Sequence, residues 1–482
     1  MQRKGDALLF LIILLAPLFF LNINDNHSWG DDFAQYLKQS LNILEGKNFA
    51  DSNYMYNPDA KGYAPPYYPA AYSIVLIPVI KYFGLNYTYL SYYNTFILVL
   101  LSIVVFFFFL KQQIQLFWTF ILTLAFAYNP QTLDMKISCL SEITSTLFFM
   151  SYLLFRNNSR WYWLGALFAS LTAFSRTVFL IIFIYEAILC VVLFIRKQKQ
   201  DWKQRLYFLV ASASMYLLLK WIFLPYLQHS DFQEYSSVMK FDEEMGFRFT
   251  TYIESMKGFL DFGLPKTLQW IILWFGSFFL FVTISLLFYR AIVVREAMDI
   301  LLVLNFFIIS MYYYPQGIRY LYPFLPVFIY YFYLGVIHSL KFVRPPFNKT
   351  IGATILICML AFFYKYRIEQ SVVRNRITGV KDIAAQNMFQ FVNDHYTSQD
   401  VFCFMKPRAL ALYTHVKTLH YPWALQNDQE VILNFKKFHV THLMISFDQN
   451  DKLSNFIKRN ATDFEDPIKV EYFLIYTLKK GV

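Results

Sequence analysis

The sequence predicts a polytopic α-helical membrane protein of about eleven transmembrane helices, with a small C-terminal α/β domain outside the membrane. Three features carry that expectation. Apolar runs of roughly 20 residues, the length that crosses a hydrocarbon layer, recur between residues 7 and 364. Basic residues gather in alternate connections between those runs. After Lys365 the composition turns to that of ordinary soluble protein. Of the 482 residues, 57% are apolar, 21% aromatic and only 16% charged, which exceeds what a soluble core of this length needs. The 54 Phe and 37 Tyr suit helix surfaces in lipid and the belts at membrane interfaces.

The first span falls near 7–22. It resembles a signal peptide, but no small-residue cleavage site precedes the polar stretch that follows, so an uncleaved helix is expected. Further spans are expected near 89–110, 116–133, 138–155, 161–176, 178–195, 204–224, 267–289, 298–314, 320–340 and 350–364. With Arg3 and Lys4 keeping the N-terminus in the cytoplasm, the inside loops carry Lys111; Arg156 and Arg160; Arg196, Lys197, Lys199, Lys203 and Arg205; Arg290 and Arg295; and Lys341, Arg344 and Lys349. Each is basic, as the positive-inside bias requires, and one missed or invented span would invert every later loop. The formal net charge of +11 is therefore a topology signal rather than a nucleic-acid surface. Cys139, Cys190, Cys358 and Cys403 lack metal-ligand spacing and read as small core residues. The histidines are scattered, and there is no phosphate-binding glycine loop, nucleophile elbow or zinc framework.

This topology exports residues 23–88, 225–266 and everything after about 365. It divides the chain into a membrane domain, 1–364, with an outer loop at 23–88, and a soluble domain, 365–482. In the outer loop Phe33, Leu37, Leu41 and Leu44 recur at helical spacing, predicting an amphipathic helix over 33–45 that lies on the membrane surface and stops at Gly46. Gly62 to Pro69 forms a stiff turn into the apolar stretch 70–83, which is short for a span and interrupted by Pro78, so a re-entrant or interfacial segment is expected. In the tail, strands at 400–405, 440–447 and 470–478 and helices at 381–393, 408–414, 428–438 and 451–459 are expected.

Asp31 and Asp32 stand just before the amphipathic helix. A carboxylate there can deprotonate an acceptor hydroxyl if it faces a cavity, and it can equally cap the helix. Glu142 follows Ser141 at the outer end of a span, behind Asp134 and Lys136; it is either a solvated helix end or, with an acid from another loop, a holder of a divalent cation. The deeper Glu186 suits packing or hydrogen bonding within the bundle. Arg176 and Arg319 lie on the outer side against the charge bias, where a lipid phosphate or ordinary headgroups would account for them. Lys406 and Arg408 flank Pro407 at a strand-to-helix turn in the tail, with a salt bridge as the plainer role.

Taken together, these residues resemble a membrane glycosyltransferase of the GT-C class that uses a polyprenyl-phosphate sugar, in the bacterial protein O-mannosyltransferase and aminoarabinose-transferase branch. The carriers are Gly30-Asp31-Asp32-Phe33-Ala34-Gln35-Tyr36 with Leu44-Glu45-Gly46, then Ala64-Pro65-Pro66-Tyr67-Tyr68-Pro69, Ser141-Glu142, Ser175-Arg176, Arg319-Tyr320-Leu321-Tyr322-Pro323, and the tail segment Lys406 to Tyr413. The resemblance implies an inverting transferase acting on the outer face of a bacterial inner membrane, with a periplasmic C-terminal domain. It maps the catalytic carboxylate onto Asp31, beside Asp32 and Glu142, and gives the donor phosphate to Arg176, Arg319, Lys406 and Arg408. A divalent cation held by Asp31 and Glu142 is an option it leaves open. Partners would be the polyprenyl-phosphate sugar, membrane lipids and a glycan, lipid or protein acceptor, with no nucleic acid. Two departures stand out: Asp32 replaces a common Glu, and Tyr63-Ala64 stands where the aminoarabinose branch has Glu-Lys, which argues against an aminoarabinose donor. The competing expectations are an O-antigen polymerase or ligase, which usually carries its large acceptor loop later in the chain, and a transporter of lipid or glycan, which would show internal repeats.

Overall fold

A computed structural model describes residues 2–60, 67–158, 160–223, 244–255, 284–286, 289–290, 292–293, 296–312, 317–339, 379–446 and 452–479. The expected spans at 267–289 and 350–364, most of 225–266, residues 365–378, Cys358 and the turn Gly62–Pro66 lie largely or wholly outside those residues. The helices are α1 (Gln2–Leu15), α2 (Asp32–Leu44), α3 (Ala70–Phe83), α4 (Tyr87–Lys111), α5 (Leu116–Ala127), α6 (Pro130–Ile137), α7 (Glu142–Phe155), α8 (Tyr162–Ser175), α9 (Ile181–Ile195), α10 (Lys199–Phe223), α11 (Met245–Ser255), α12 (Ala297–Ser310), α13 (Ile318–Leu321), α14 (Leu325–Ser339), α15 (Ile383–His395), α16 (Pro407–Tyr413), α17 (Asp428–Lys437) and α18 (Lys452–Arg459). The strands are β1 (Tyr54–Met55), β2 (Val401–Cys403), β3 (Lys417–Leu419), β4 (His442–Ser446), β5 (Ile468–Val470) and β6 (Phe473–Thr477). The chain separates into two compact units, one from Met1–Ile23, Ser91–Leu224 and Met239–Asn375, the other from Asn24–Leu90 and Arg376–Val482 with a short inserted stretch.

In the first unit, three described helices are long and apolar enough to cross a membrane: Tyr87–Lys111, Thr177–Ile195 and Gln200–Phe223. A fourth span results if α6 and α7, bent by 118° at their junction, count as one. The expected single span at 116–133 is in fact two helices. Asn129 breaks it, because its side chain accepts from the Gln131 amide and Pro130 opens α6, so a new helix starts there. Cys139, in the left-handed region at φ 47°, lies in the bend that follows.

Polar side chains tie these helices together. Tyr128 donates to the Leu14 carbonyl at 2.6 Å, and the buried Lys136 ammonium donates to the carbonyls of Leu18 and Leu21 beyond the end of α1. Ser170 bridges α8 to α10 through the Ser212 carbonyl at 2.7 Å. Gly165 lets α8 approach α7 closely: a Cβ there would stand 3.0 Å from the Arg156 backbone.

The second unit carries a six-stranded sheet in the order β1-β3-β2-β4-β6-β5. The first four strands run parallel, and β6 and β5 pair antiparallel. The edge strand β1 comes from the outer loop, pairing Tyr54 with Thr418 and Met55 with Leu419. The loop expected to belong with the membrane helices is thus built into the sheet of the tail. Trp29 fastens it further, its ring 5.7 Å from Phe389 and 5.8 Å from Phe473. The strand expected at 470–478 is β6, and Glu471 at φ 55° turns into it from the unexpected short strand β5. Cys403 is buried in the sheet's apolar core, and Cys139 and Cys190 are buried in the first unit, all three as free thiols.

Helix α2 forms over almost the expected residues but is no surface helix. Its polar positions are buried along with its apolar ones: Gln39 pairs with the Tyr68 backbone, Ser40 donates to the Ser73 carbonyl at 2.8 Å, and Asn42 donates to the Asn48 carbonyl at 3.0 Å. The amphipathic pattern is used for packing against α3 and α16.

Candidate functional site

Asp31 precedes α2, but its side chain makes no capping bond to that helix. Oδ1 instead accepts from the backbone amides of Arg408 at 2.9 Å and Ala409 at 3.3 Å, in the first turn of α16. Local chemistry explains the meeting. Pro407 opens α16 without an N–H to offer, so the first amides without an intrahelical partner belong to the two residues that follow. The other oxygen, Oδ2, is buried without a hydrogen-bond partner and lies 3.9 Å from His420 Nε2.

Burial pushes the Asp31 carboxyl up to about 6, against the pull of Arg408 and Lys406. Burial and the same two cations push His420 down to about 3, so its imidazole is neutral. At neutral pH, then, Asp31 is ionised yet more basic than an ordinary carboxylate.

Asp32 is held differently. Its Oδ1 accepts from the Tyr68 hydroxyl at 2.6 Å and lies 3.6 Å from Arg408 Nη1. The Arg408 guanidinium sits over the rings of Tyr68 at 4.6 Å and Tyr54 at 5.1 Å. Tyr68 is placed by Gln39, whose amide donates to its carbonyl at 2.9 Å and accepts from its N–H at 3.3 Å.

In the membrane unit Glu142, Arg176 and Arg319 come together from three breaks in helical structure. Glu142 opens α7 after the bend, Arg176 is extended (φ −153°, ψ 127°) at the end of α8, and Arg319 follows Gly317, whose φ of 58° suits glycine. Glu142 Oε1 lies 3.0 Å from Arg176 Nη1 and 2.9 Å from Arg319 Nε, while Oε2 is buried without a hydrogen-bond partner. Arg176 also stacks over Tyr320 at 4.9 Å. Two guanidiniums share one carboxylate, so the cluster keeps a net positive charge suited to an anion.

No family model matches the sequence, and no curated protein matches it. Among solved structures the chain is similar to ArnT from Cupriavidus metallidurans bound to undecaprenyl phosphate, with a TM-score of 0.55, 10% identity and 98% of each chain covered. The apo state of that ArnT gives 0.53 at 11% identity, covering 99% of this chain and 98% of that one. The archaeal oligosaccharyltransferase AglB from Archaeoglobus fulgidus, in complex with an inhibitory peptide and a dolichol-phosphate, gives 0.56 at 11% identity, covering 98% of this chain and 74% of that one. The chain has a GT-C-type fold.

Within that fold, the residues singled out from sequence fall into two clusters. Asp31, Asp32 and Arg408 meet in the second unit, with Lys406 beside them, and Glu142, Arg176 and Arg319 meet in the first. Among the described residues no group of three or more His, Cys, Asp and Glu could share a metal ion. The charged neighbours of Asp31 and Glu142 are chiefly cations, which opposes a divalent ion at either carboxylate. Glu186 takes the structural role: it accepts from Tyr152 at 2.6 Å and pairs with Arg156 at 2.9 Å, fully buried. Tyr68, Tyr54 and His420 were not expected around the acids. Tyr68 lay inside a quoted motif, but nothing in the pattern near His420 marked it.

Proposed function

We propose that the protein is an inverting glycosyltransferase that moves a sugar from a polyprenyl-phosphate donor to an acceptor hydroxyl on the outer face of a bacterial inner membrane. About eleven spans, a cytoplasmic N-terminus and a periplasmic tail complete that assignment. The observation that carries it is the Asp31 carboxylate, with one oxygen fixed by two amides and the other buried and unpartnered. That oxygen is the proton acceptor. The acceptor O–H gives its proton to Asp31 Oδ2, the acceptor oxygen bonds to the anomeric carbon, and the bond to the phosphate oxygen breaks with its electron pair on the phosphate. A phosphate leaving group needs little acid assistance, so orientation and charge stabilisation do most of the work. Arg176 and Arg319, in a cluster of their own in the first unit, carry the positive charge that suits a lipid phosphate. The lipid phosphates bound to ArnT and AglB support the donor class. No step is assigned to a metal.

The test is transfer by the purified full chain in lipid, with a panel of labelled polyprenyl-phosphate sugars and glycan, lipid and peptide acceptors, comparing wild type with Asp31→Asn. The expectation is acceptor labelling with release of polyprenyl phosphate, reduced at least a hundredfold in the variant. Equal transfer by both proteins would remove Asp31 from the chemistry, and no release from any donor would remove the enzyme assignment.

A further inference from the structure

Arg408 touches both members of the acidic pair, through different groups. Its backbone N–H donates to Asp31 Oδ1 at 2.9 Å, and its guanidinium Nη1 lies 3.6 Å from Asp32 Oδ1. The side chain is only 1% exposed and lies against the rings of Tyr54 and Tyr68. A guanidinium that serves a lipid phosphate has to reach it. This one is committed to a carboxylate and two phenol rings.

We propose that Arg408 is a positioning residue for the acidic loop and not a ligand of the donor phosphate. Its amide fixes Asp31, its guanidinium holds Asp32, and through it the C-terminal tail becomes part of the base. The proposal rests on Asp31 being the proton acceptor. Geometry supplies the division of labour: the amide bonds occupy Oδ1 and leave Oδ2 for the acceptor, while Tyr68 and Arg408 share the Asp32 oxygen.

Charge gives the proposal a second, separable consequence. The groups acting on Asp31 are Arg408 and Lys406 from the start of α16, Asp32 from its own helix, and His420 following β3. Tyr68 faces Asp32 from the segment before α3. Burial and Asp32 raise the Asp31 carboxyl, the two cations lower it, and neutral His420 adds no charge. Removing the Arg408 charge therefore raises Asp31 further. A phosphate ligand would, in addition, lose anion affinity when its charge is removed, which a positioning residue would not.

Two measurements on the full chain separate these outcomes. Infrared difference titration follows the Asp31 carboxyl, identified as the band lost in Asp31→Asn, and a binding assay uses undecaprenyl phosphate as the probe. In Arg408→Met the Asp31 titration is expected to move up by about one pH unit, with undecaprenyl phosphate affinity within about twofold of wild type. Arg408→Lys, which keeps the charge, should recover most of the titration shift. Should Arg408→Met not fold, Arg408→Gln keeps a polar stem between the two rings and carries the same two expectations. An unmoved Asp31 titration, or a loss of undecaprenyl phosphate affinity of about tenfold or more, overturns the proposal. Failure of the reading it rests on would show elsewhere, as transfer retained by Asp31→Asn or as no release of polyprenyl phosphate from any donor, and would leave the infrared result intact.

Discussion

Asp31→Asn should make the folded protein more stable at neutral pH while removing its activity. The Asp31 carboxyl rises from its ordinary value of 3.8 to about 6 on folding. A rise of about two units means the folded state disfavours the ionised form by about 3 kcal/mol, since each unit is worth roughly 1.4 kcal/mol. The sign follows from proton binding. Above about pH 6 the group is ionised in both states and the full penalty applies; below about pH 4 it is protonated in both and the penalty is gone. Asparagine keeps an oxygen for the amides of Arg408 and Ala409 but places an NH2 where Oδ2 has no partner, which returns about 1 kcal/mol of cost. The expected net gain is about 1–3 kcal/mol at pH 7.5, shrinking to zero or below near pH 4. Denaturant unfolding of wild type and variant in the same detergent, at pH 7.5, 6 and 4.5, measures it. A variant less stable at pH 7.5, or a difference that does not change with pH, would refute the claim that burial strains this carboxylate.

The same proton equilibrium governs rate, so transfer should have an acid limb centred near pH 6 and fall to about a tenth of its plateau at pH 5; a pH-independent rate would count against Asp31 as the base. Arg176→Ala and Arg319→Ala should each weaken binding of undecaprenyl phosphate by about tenfold or more, the value of one charge-assisted hydrogen bond. Chelation by EDTA should change transfer by less than about twofold, because cations neighbour both candidate metal-binding acids; loss of activity restored by Mg²⁺ or Mn²⁺ would bring the metal back. Gly165→Leu should destabilise the membrane unit by about 1–3 kcal/mol in the same unfolding assay, since even a Cβ would lie 3.0 Å from the Arg156 backbone.

Much of this protein was legible in the sequence, for identifiable reasons. Helical periodicity placed α2 within a residue or two, and the four tail helices fell nearly where expected, three of them because each buries one apolar face, while α16 is buried at almost every position. The break at Asn129 was missed because hydropathy stays high through Ala127 and Tyr128, and a hydropathy window does not see an Asn-Pro start signal. β1 and β3 were missed because two- and three-residue strands are too short to show alternation. Both acids were marked by their place before α2, yet the helix that receives Asp31 begins more than 370 residues later, and no local pattern reports a bond of that span.

That separation is also what would make the proposed base workable. A buried carboxylate left to itself is driven towards the protonated form and cannot take a proton, whereas an exposed one stays ionised but is too weak a base. The outer loop supplies the carboxylate, beside Phe33 and Tyr36, which are themselves buried against His27 and Tyr68. The tail brings donors: the amides of Arg408 and Ala409 at the start of α16 donate to Asp31, and Lys406 and Arg408 add charge at the same point. Burial and Asp32 raise the carboxyl, Arg408, Lys406 and the Ala409 amide lower it, and the balance falls near 6. Building β1 into the tail's sheet and Trp29 into its aromatic core holds the outer loop to the segment that carries these donors.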